Sequence, residues 1–357
     1  MTPGTSAKAS APAQSADEAF RSEMLASLTS DSLHLILLPT EQCNFRCVYC
    51  YEDFQIGRMA DVTVQAVKRL VDRRIGELRA LGVSWFGGEP LLARSIVEDI
   101  SSHITAAVAN RDSVAYTADM TTNGYLLDAA TFARLTSLGI RSYQVSLDGP
   151  QTVHDRTRIR ANGHGSFARI WENLLAIRRT RTDAQVLLRV HLTPANLPAM
   201  PELLRNIRDT FLSDERFSVL LRPVEHMGGP NDARLDVLDQ RQRDIAITEL
   251  RSLLTEDEAS PSLFDAPHVC YASRPNSLLI RADGRVGKCT VALNDPANTI
   301  GELSPDGSLR IDQARLDPWV RGWQATDWNA VGCPYAGMPR REAPLLSIGR
   351  GPGRPAL

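Results

Sequence analysis

The apolar run Leu33-His34-Leu35-Ile36-Leu37-Leu38 and the cysteine-rich segment Cys43-Asn44-Phe45-Arg46-Cys47-Val48-Tyr49-Cys50 that follows it decide the fold. Such a run predicts a buried β-strand, and the spacing C-x3-C-x2-C predicts a loop that holds three thiolates around one metal centre. Structural zinc and typical ferredoxin clusters take four protein ligands, so three cysteines leave one iron of a 4Fe–4S cluster open. The alternatives are a zinc loop lacking its fourth ligand, or buried thiols without a chemical role.

Apolar runs alternate with helical stretches along the rest of the chain. The predicted strands are 34–38, 83–86, 115–121, 142–146, 185–192 and 218–224, and the predicted helices are 62–81, 96–109, 129–138, 166–180, 200–211 and about 239–254. Alternation of this kind indicates parallel βα units. Six units predict an α/β fold, a partial (β/α)6 TIM-like barrel, with its chemistry at the carboxyl ends of the strands. The three cysteines follow the first strand, where that rule locates a site.

The pattern changes after the sixth unit. We expect a disordered or helical lead-in over 1–30, a core barrel over 31–258 and a small C-terminal α+β extension over 259–338, with the boundary near Pro261. Within the extension, Asp283-Gly284 predicts the turn of a β-hairpin. Glycine, proline and arginine dominate 339–357, which predicts a disordered tail.

Composition excludes several classes of protein. The net charge is −2, with 43% hydrophobic and 23% charged residues, which argues against a nucleic-acid surface or a polybasic membrane contact. No apolar run reaches about 18 residues, so no membrane span is expected. The N-terminus lacks the features of a secretory signal, and three of six cysteines lie in one tight motif. We therefore expect a protein of the reducing cytoplasm, with neither nucleic acid nor membrane as a partner.

The cysteine motif, with Tyr49 directly before its last cysteine, resembles that of the radical SAM superfamily. The second predicted strand ends in Trp85-Phe86-Gly87-Gly88-Glu89-Pro90, which is similar to the family's motif for the amino group of S-adenosylmethionine (SAM). Paired glycines let a backbone approach a ligand closely because no Cβ intervenes. Taken alone, Gly-Gly-Glu-Pro would be an ordinary turn. The resemblance implies that the open iron of the cluster at Cys43, Cys47 and Cys50 chelates SAM.

Two further strand ends extend the resemblance to the subgroup of anaerobic sulfatase maturases and radical peptide maturases. They are Thr121-Thr122-Asn123-Gly124 and Ser146-Leu147-Asp148-Gly149-Pro150, the latter followed by His154-Asp155 and Arg158. The resemblance implies SAM contacts at Tyr49, Gly87, Gly88, Glu89, Thr122, Asn123, Ser146, Arg158 and Leu220. A guanidinium suits a carboxylate because it donates two parallel hydrogen bonds. Without the resemblance, Ser146 is a turn residue, Arg158 a solvated arginine and Leu220 a core leucine.

Cys270, Cys289 and Cys333 resemble the start of a SPASM/twitch extension, which carries auxiliary iron–sulfur clusters in that subgroup. The cysteines expected later in a full SPASM domain are absent, since Ala336 and Glu342 stand near those positions. The resemblance therefore implies a shortened, twitch-like extension with one auxiliary 4Fe–4S cluster, whose open iron site could take His268, an aspartate, water or substrate. The alternatives are a zinc site or buried structural cysteines.

The catalytic base departs from the family pattern. Sulfatase maturases carry an aspartate after the cysteine matching Cys289, whereas this chain has Thr290, which does not act as a base near neutral pH. The replacement candidates are Glu225, His226, Asp283 and Asp295.

The resemblance implies reductive cleavage of SAM to a 5′-deoxyadenosyl radical, with electrons from a donor such as flavodoxin or ferredoxin. That radical would abstract hydrogen from a ribosomally made precursor peptide, leading to a cross-link or an oxidised residue. The short segment before the first strand predicts that the leader is recognised in the groove between barrel and extension, or by a separate protein. The alternatives are oxidation of a small metabolite, sulfatase-type protein maturation and a non-catalytic metal-binding scaffold.

Overall fold

The computed structural model describes residues 24–25, 27–109, 111, 113–254 and 268–338. Most of the predicted lead-in, the boundary near Pro261 and the predicted tail over 339–357 lie outside the described residues. At the end of the lead-in, residues 24, 25, 27 and 28 are helical. No helix within the described ranges combines the length and apolarity needed to cross a bilayer.

The described residues form twelve strands and nine α-helices. The strands are β1 (Ser32–Leu37), β2 (Phe45–Cys47), β3 (Ala80–Trp85), β4 (Ala115–Thr122), β5 (Ile140–Leu147), β6 (Arg158–Arg160), β7 (Gln185–Leu192), β8 (Phe217–Pro223), β9 (Ser277–Ile280), β10 (Arg285–Gly287), β11 (Gly301–Leu303) and β12 (Leu309–Ile311). The helices are α1 (Asp61–Arg74), α2 (Arg94–Val108), α3 (Ala129–Ser137), α4 (Gln151–Thr157), α5 (Phe167–Arg178), α6 (Met200–Phe211), α7 (Gln240–Arg251), α8 (Gln313–Ala325) and α9 (Trp328–Gly332).

Ten strands form one sheet in the order β12-β11-β10-β9-β1-β3-β4-β5-β7-β8. In the part of this order that runs from β1 to β8, each strand is parallel to its neighbour, and β1 is also parallel to β9. The sheet does not close, because β8 and β12 stand at its two ends. The predicted α/β architecture, a partial (β/α)6 barrel without closure, is therefore confirmed.

Each parallel strand has an apolar face and a more polar face. In β7, Val186, Leu188, Val190 and Leu192 are buried in the main core, while the residues between them are half-buried. The apolar face packs with amphipathic helices such as α6, whose buried residues recur at helical spacing. The opposite face is therefore free to carry polar side chains for a site.

Two local features differ from expectation. The helix predicted over 62–81 ends at Arg74, and the chain turns at Gly76 before entering β3 at Ala80. Parallel pairing with β1, beginning at Ser32 and Ala80, overrides the helical tendency of this stretch. The second feature is the short antiparallel pair β2–β6, which the sequence did not indicate because each strand has only three residues.

The C-terminal extension continues the barrel sheet. Strand β9 pairs in parallel with β1, and β10 returns antiparallel after the predicted turn at Asp283-Gly284. Gly284 has φ +88°, a left-handed conformation that glycine adopts without steric cost, so the predicted hairpin is confirmed. The assignment of 259–338 as a domain of its own stays a prediction.

A buried ion pair joins the cysteine loop to this hairpin. The Arg281 Nε donates to Glu41 Oε1 at 3.1 Å, and Arg281 Nη1 donates to the carbonyl oxygen of Leu293 at 2.6 Å. Both charged side chains are only 4% exposed. The pair couples the two cysteine-bearing regions, because Glu41 belongs to one and Arg281 to the other. Removing either partner would leave the other charge buried and uncompensated.

We predict that Arg281→Leu lowers the free energy of unfolding by about 3–5 kcal/mol, the usual cost of breaking a buried ion pair. The matched control is Arg310→Leu, whose partner Glu302 lies 2.9 Å away on the surface, with side-chain exposures of 71% and 60%. That substitution should change stability by less than about 1 kcal/mol. Anaerobic urea denaturation measures both, and equal effects would contradict a special role for the buried pair.

Candidate functional site

The cysteine loop follows the carboxyl end of β1, as predicted. Phe45 N donates to Cys43 Sγ at 3.3 Å, and Cys50 N donates to the carbonyl oxygen of Cys47 at 3.1 Å. All three thiols are half-buried. The β2–β6 register sets Cys47 opposite Arg158. The fold therefore brings three thiols into one loop beside a guanidinium.

The thiols are neutral unless a metal displaces their protons. Burial raises the pKa of Cys50 to about 12 and holds the pKa values of Cys43 and Cys47 above their usual range. In the described part of the chain, no three Cys, His, Asp or Glu side chains are arranged to hold a single metal ion. A 4Fe–4S cluster distributes its thiolates over different irons, so half-buried thiols spaced along one loop fit that group.

Gly87 and Gly88 allow the end of β3 to approach the cysteine loop. A Cβ at Gly87, where φ is +111°, would lie 2.3 Å from the carbonyl oxygen of Thr40. A Cβ at Gly88 would lie 2.4 Å from the carbonyl oxygen of Gln42. Both distances are shorter than any tolerable contact, so the close approach predicted for a ligand is here made by protein backbone. A SAM contact at these glycines stays a prediction.

Glu89 holds three segments together. Its side chain is completely buried and accepts hydrogen bonds from Leu91 N (3.0 Å), Thr122 Oγ1 (2.8 Å) and Asn123 N (2.8 Å). Its own N–H donates to the carbonyl oxygen of Gln42 at 3.0 Å. Burial raises the pKa of the carboxyl group above its usual range, while the three donors oppose that shift. Thus Glu89 ties the cysteine loop to the ends of β3 and β4.

Asn123 extends this connection into the cysteine loop. Its Nδ2 donates to Asn44 Oδ1 at 2.8 Å, and the same nitrogen lies 4.0 Å from Cys43 Sγ. Thr122 accepts from Gly124 N at 3.1 Å while donating to Glu89. Thr122 and Asn123 therefore lie where the sequence predicts a site, but their described contacts are with protein.

Ser146 and Leu220 lie at one level of the sheet. The strand registers pair Ser146 with Arg189 and Arg189 with Leu220. Ser146 is 7% exposed, and its hydroxyl makes no hydrogen bond to the described residues. Leu220 is half-buried. The structure thus brings two predicted SAM contacts close to the same arginine.

Arg158 belongs to a buried polar network around Tyr49. Arg158 Nη1 donates to Tyr49 Oη at 2.8 Å, and Tyr49 Oη donates to Asp148 Oδ1 at 2.9 Å. His191 Nδ1 lies 3.2 Å from the same carboxylate, and Thr157 Oγ1 donates to its other oxygen at 2.7 Å. Arg158 Nε is buried without a hydrogen-bond partner among the described residues. An unpaired donor on a buried guanidinium is suited to an anionic group.

In this network a neutral histidine, His191, lies beside an ionised aspartate, Asp148. Burial lowers the pKa of His191 to about 4, so the imidazole is neutral near pH 7. Burial opposes ionisation of Asp148, but hydrogen bonding from His191 and the charge of Arg158 hold its pKa below the usual range. The network therefore holds Tyr49 between a cation and an anion, which fixes its hydroxyl.

Sequence reasoning did not assign Asp148, His191 and Arg189 to the site. Asp148 lies within the quoted strand-end motif, and the other two occupy alternating positions of β7. The available signal was the period-two alternation of β7, which sets Arg189 and His191, together with Leu187, on the face opposite the core.

The second cysteine group also comes together. Cys270 N donates to the carbonyl oxygen of Val331, two residues before Cys333, at 3.1 Å. Burial raises the pKa of Cys270 to about 11, and the charges of Cys289 and Cys333 add to that shift. Cys270 and Cys289 are half-buried, whereas Cys333 is exposed. A cluster at these three residues stays a prediction.

Each of the four candidate bases already has a partner. Glu225 contacts Arg222 (2.8 Å) and Arg243 (2.6 Å), and His226 lies 3.2 Å from Asp232. Asp283 pairs with Arg285 at 2.7 Å, and Asp295 accepts from Tyr335 Oη at 2.7 Å. Thr290 shares a 2.7 Å hydrogen bond with Tyr271 Oη. The described contacts favour none of the four.

Part of the chain matches a known family. Residues 37–205 match the model of the radical SAM superfamily. Among curated proteins, the chain is 30% identical over 195 residues to a GTP 3′,8-cyclase of Tolumonas auensis, covering 54% of this chain and 51% of that protein. It is 33% identical over 194 residues to the GTP 3′,8-cyclase of Stenotrophomonas maltophilia, covering 53% and 55%. The chain spans about half the length of these curated relatives.

Solved structures share the fold at low identity. The enzyme anSMEcpe with bound AdoMet and the Cp18Cys peptide superimposes with a TM-score of 0.61 at 17% identity, covering 80% of each chain. SuiB of Streptococcus suis, bound to its precursor peptide SuiA, gives a TM-score of 0.55 at 14% identity and covers 85% of this chain and 69% of SuiB. Both likenesses cover a larger share of this chain than residues 37–205 do.

We predict that Glu89→Gln loosens the cysteine loop. The side-chain NH₂ of the new glutamine would face a backbone N–H or a hydroxyl group that donates to the carboxylate in the wild-type protein. At least one buried donor would then lack an acceptor, which costs about 1–3 kcal/mol. Unfolding free energy should fall by that amount, and reconstituted iron should be lost faster to a chelator.

Glu77→Gln is the matched control, because Glu77 is 75% exposed and its ion pair with Arg74 Nε, at 3.6 Å, is long and lies at the surface. It should leave both measurements unchanged. If Glu89→Gln behaves like Glu77→Gln, Glu89 does not hold the loop.

Proposed function

We propose that this chain, which matches the radical SAM model over residues 37–205, uses SAM to abstract hydrogen from a precursor peptide. The product would be a cross-link or an oxidised residue, which makes the protein an oxidoreductase of peptide maturation. One observation carries the proposal: Arg158 lies opposite Cys47 of the three-cysteine loop in the β2–β6 register. The Nε of Arg158 is buried and has no hydrogen-bond partner among the described residues.

Cys43, Cys47 and Cys50 would hold the SAM-binding 4Fe–4S cluster. When bound, that cluster supplies the electron that cleaves SAM into methionine and a 5′-deoxyadenosyl radical. Arg158 suits the SAM carboxylate, since Tyr49 holds one of its nitrogens and leaves Nε to donate. Tyr49 in turn is fixed by Asp148 at 2.9 Å. These residues would orient the ligand beside the cysteine loop.

Gly87, Gly88, Glu89, Thr122 and Asn123 would support this site mainly by shaping its backbone. Glu89 accepts from Thr122 Oγ1 at 2.8 Å and Asn123 N at 2.8 Å, so its carboxylate faces protein donors. The peptide groups at these strand ends would then be the part that reaches SAM. Ser146 and Leu220 would line the same site, Ser146 through its free hydroxyl and Leu220 through apolar contact.

Cys270, Cys289 and Cys333 would hold one auxiliary cluster in a twitch-like extension. The mutual influence of these thiols on the pKa of Cys270 supports their grouping. The extension is joined to the barrel through β9 and through the Glu41–Arg281 ion pair. A cluster held by these three cysteines would supply a one-electron acceptor for oxidation of the substrate.

A peptide substrate is supported by the two neighbours that hold peptides, anSMEcpe and SuiB. A small-molecule substrate is the alternative, and the match to GTP 3′,8-cyclases over about half their length favours it. Sulfatase-type maturation is less favoured, because Thr290 bonded to Tyr271 stands where that reaction needs a carboxylate base. A low-potential donor such as flavodoxin or ferredoxin would supply electrons in the cytoplasm.

We predict that anaerobically reconstituted protein binds about eight irons per chain, as two four-iron clusters. Replacing Cys43, Cys47 and Cys50 together by Ala should abolish 5′-deoxyadenosine formation and leave about half of the iron. Replacing Cys270, Cys289 and Cys333 by Ala is the matched variant, which should also lose half of the iron but keep uncoupled SAM cleavage. Undiminished cleavage in the first variant would overturn the assignment.

The substrate is tested by co-expressing the protein with short peptides encoded beside its gene. A maturase should shift the mass of one peptide by the loss of hydrogen, and the Cys43/Cys47/Cys50 variant should leave that mass unchanged. No shift in any peptide, together with conversion of a purified nucleotide, would favour the small-molecule alternative.

A further inference from the structure

Arg189 is a cation for which the described residues offer no partner. It lies in the middle of β7 on the half-buried face, and its Nε is buried without a hydrogen bond. Its guanidinium forms no hydrogen bond or ion pair with the described residues. Only its Nε is fully buried, but withdrawing even part of a cation from water without a partner costs free energy. A free guanidinium at this position therefore needs an explanation.

The charged neighbours of Arg189 are already occupied. Arg222, on β8, pairs with Glu225 at 2.8 Å. Arg158 donates to Tyr49, and Asp148 accepts from Tyr49 and His191. The cations Arg158 and Arg222 both act on Arg189, and burial together with Arg222 lowers its pKa below the usual range. The nearby carboxylates Asp148 and Glu225 are thus engaged with other groups, and neither pairs with Arg189 among the described residues.

The position of Arg189 links this charge to the proposed site. The strand registers set it between Ser146 and Leu220, the residues proposed to line the SAM site. Tyr49 and Tyr51, which flank Cys50, lie within electrostatic reach of its guanidinium, and both phenols are neutral because burial raises their pKa values. The cation is therefore located between the cysteine loop and the middle of the sheet, where SAM and substrate would meet.

We propose that Arg189 is a ligand-binding residue that takes a carboxylate inside the barrel. The inference rests on the proposed function, since it uses the barrel interior as the place where SAM and substrate bind. A planar guanidinium whose two Nη groups have no partner among the described residues matches a carboxylate in bidentate geometry. Two sources share that chemistry: the α-carboxylate of SAM, and an aspartate, glutamate or C-terminal carboxylate of the substrate.

The first measurement is the affinity for SAM, determined by equilibrium dialysis on reconstituted protein. The variants are Arg189→Met and Arg189→Lys, with Arg141→Met as control, because Arg141 is an exposed arginine on β5 paired with Asp183 at 2.9 Å. If the carboxylate is that of SAM, Arg189→Met should weaken binding about tenfold or more, the scale of one lost hydrogen bond to a charged group. Arg189→Lys should lose less, and the control should match wild type.

The second measurement uses synthetic octapeptide pools that carry Asp, Glu, Asn or Gln at a fixed central position. The pools are selected on SAM-loaded protein and read by mass spectrometry. If the carboxylate belongs to the substrate, wild type should enrich the acidic pools over their amide counterparts. Arg189→Met should lose that preference at unchanged SAM affinity, and Arg141→Met should retain it.

Thermal stability separates binding from a structural role. Because Arg189 has no described partner, Arg189→Met should not lower the melting temperature of the ligand-free protein. Unchanged SAM affinity combined with unchanged peptide preference would overturn the inference while leaving the proposed function intact. Wild-type protein that fails to bind SAM would overturn the proposed function and this inference with it.

Discussion

The buried carboxylate of Glu89 is the constraint on which the rest of the site depends. It accepts from three donors contributed by the turn after β3 and by the end of β4, while its own N–H holds Gln42 at the start of the cysteine loop. A buried carboxylate is tolerated only when its oxygens are satisfied, so these segments must keep their relative positions. Gly87 and Gly88 permit that proximity by leaving room for the carbonyl oxygens of Thr40 and Gln42.

A second set of interactions extends this order across the sheet. The Arg158–Tyr49–Asp148 chain connects the cysteine loop to β5, and His191 brings in β7. The Glu41–Arg281 pair connects the same loop to the extension that carries Cys289. All these groups belong to loops or to the polar face of strands whose other face forms the apolar core. The barrel thus provides rigidity on one side and chemistry on the other.

Sequence alone predicted the architecture because its signals were local. The six apolar runs match β1, β3, β4, β5, β7 and β8, and the turn at Asp283-Gly284 needs only two residues to specify it. The end of α1 at Arg74 was missed, because pairing of β3 with β1 is a long-range effect. The alternation in β7 indicates that Arg189 and His191 share one face, but their closeness to the cysteine loop depends on partners distant in sequence, such as Asp148 and Tyr49. The occupied state of all four candidate bases likewise depends on partners distant in sequence.

The central claim is that the cysteine loop carries an iron cluster with one iron open to SAM. Electron–nuclear double resonance on the reduced protein, with SAM labelled by 15N in its amino group and 17O in its carboxylate, tests it most directly. The account predicts hyperfine coupling from both labels to the cluster, absent in the variant lacking Cys43, Cys47 and Cys50. A well-reconstituted cluster that shows no coupling to either label would contradict the account.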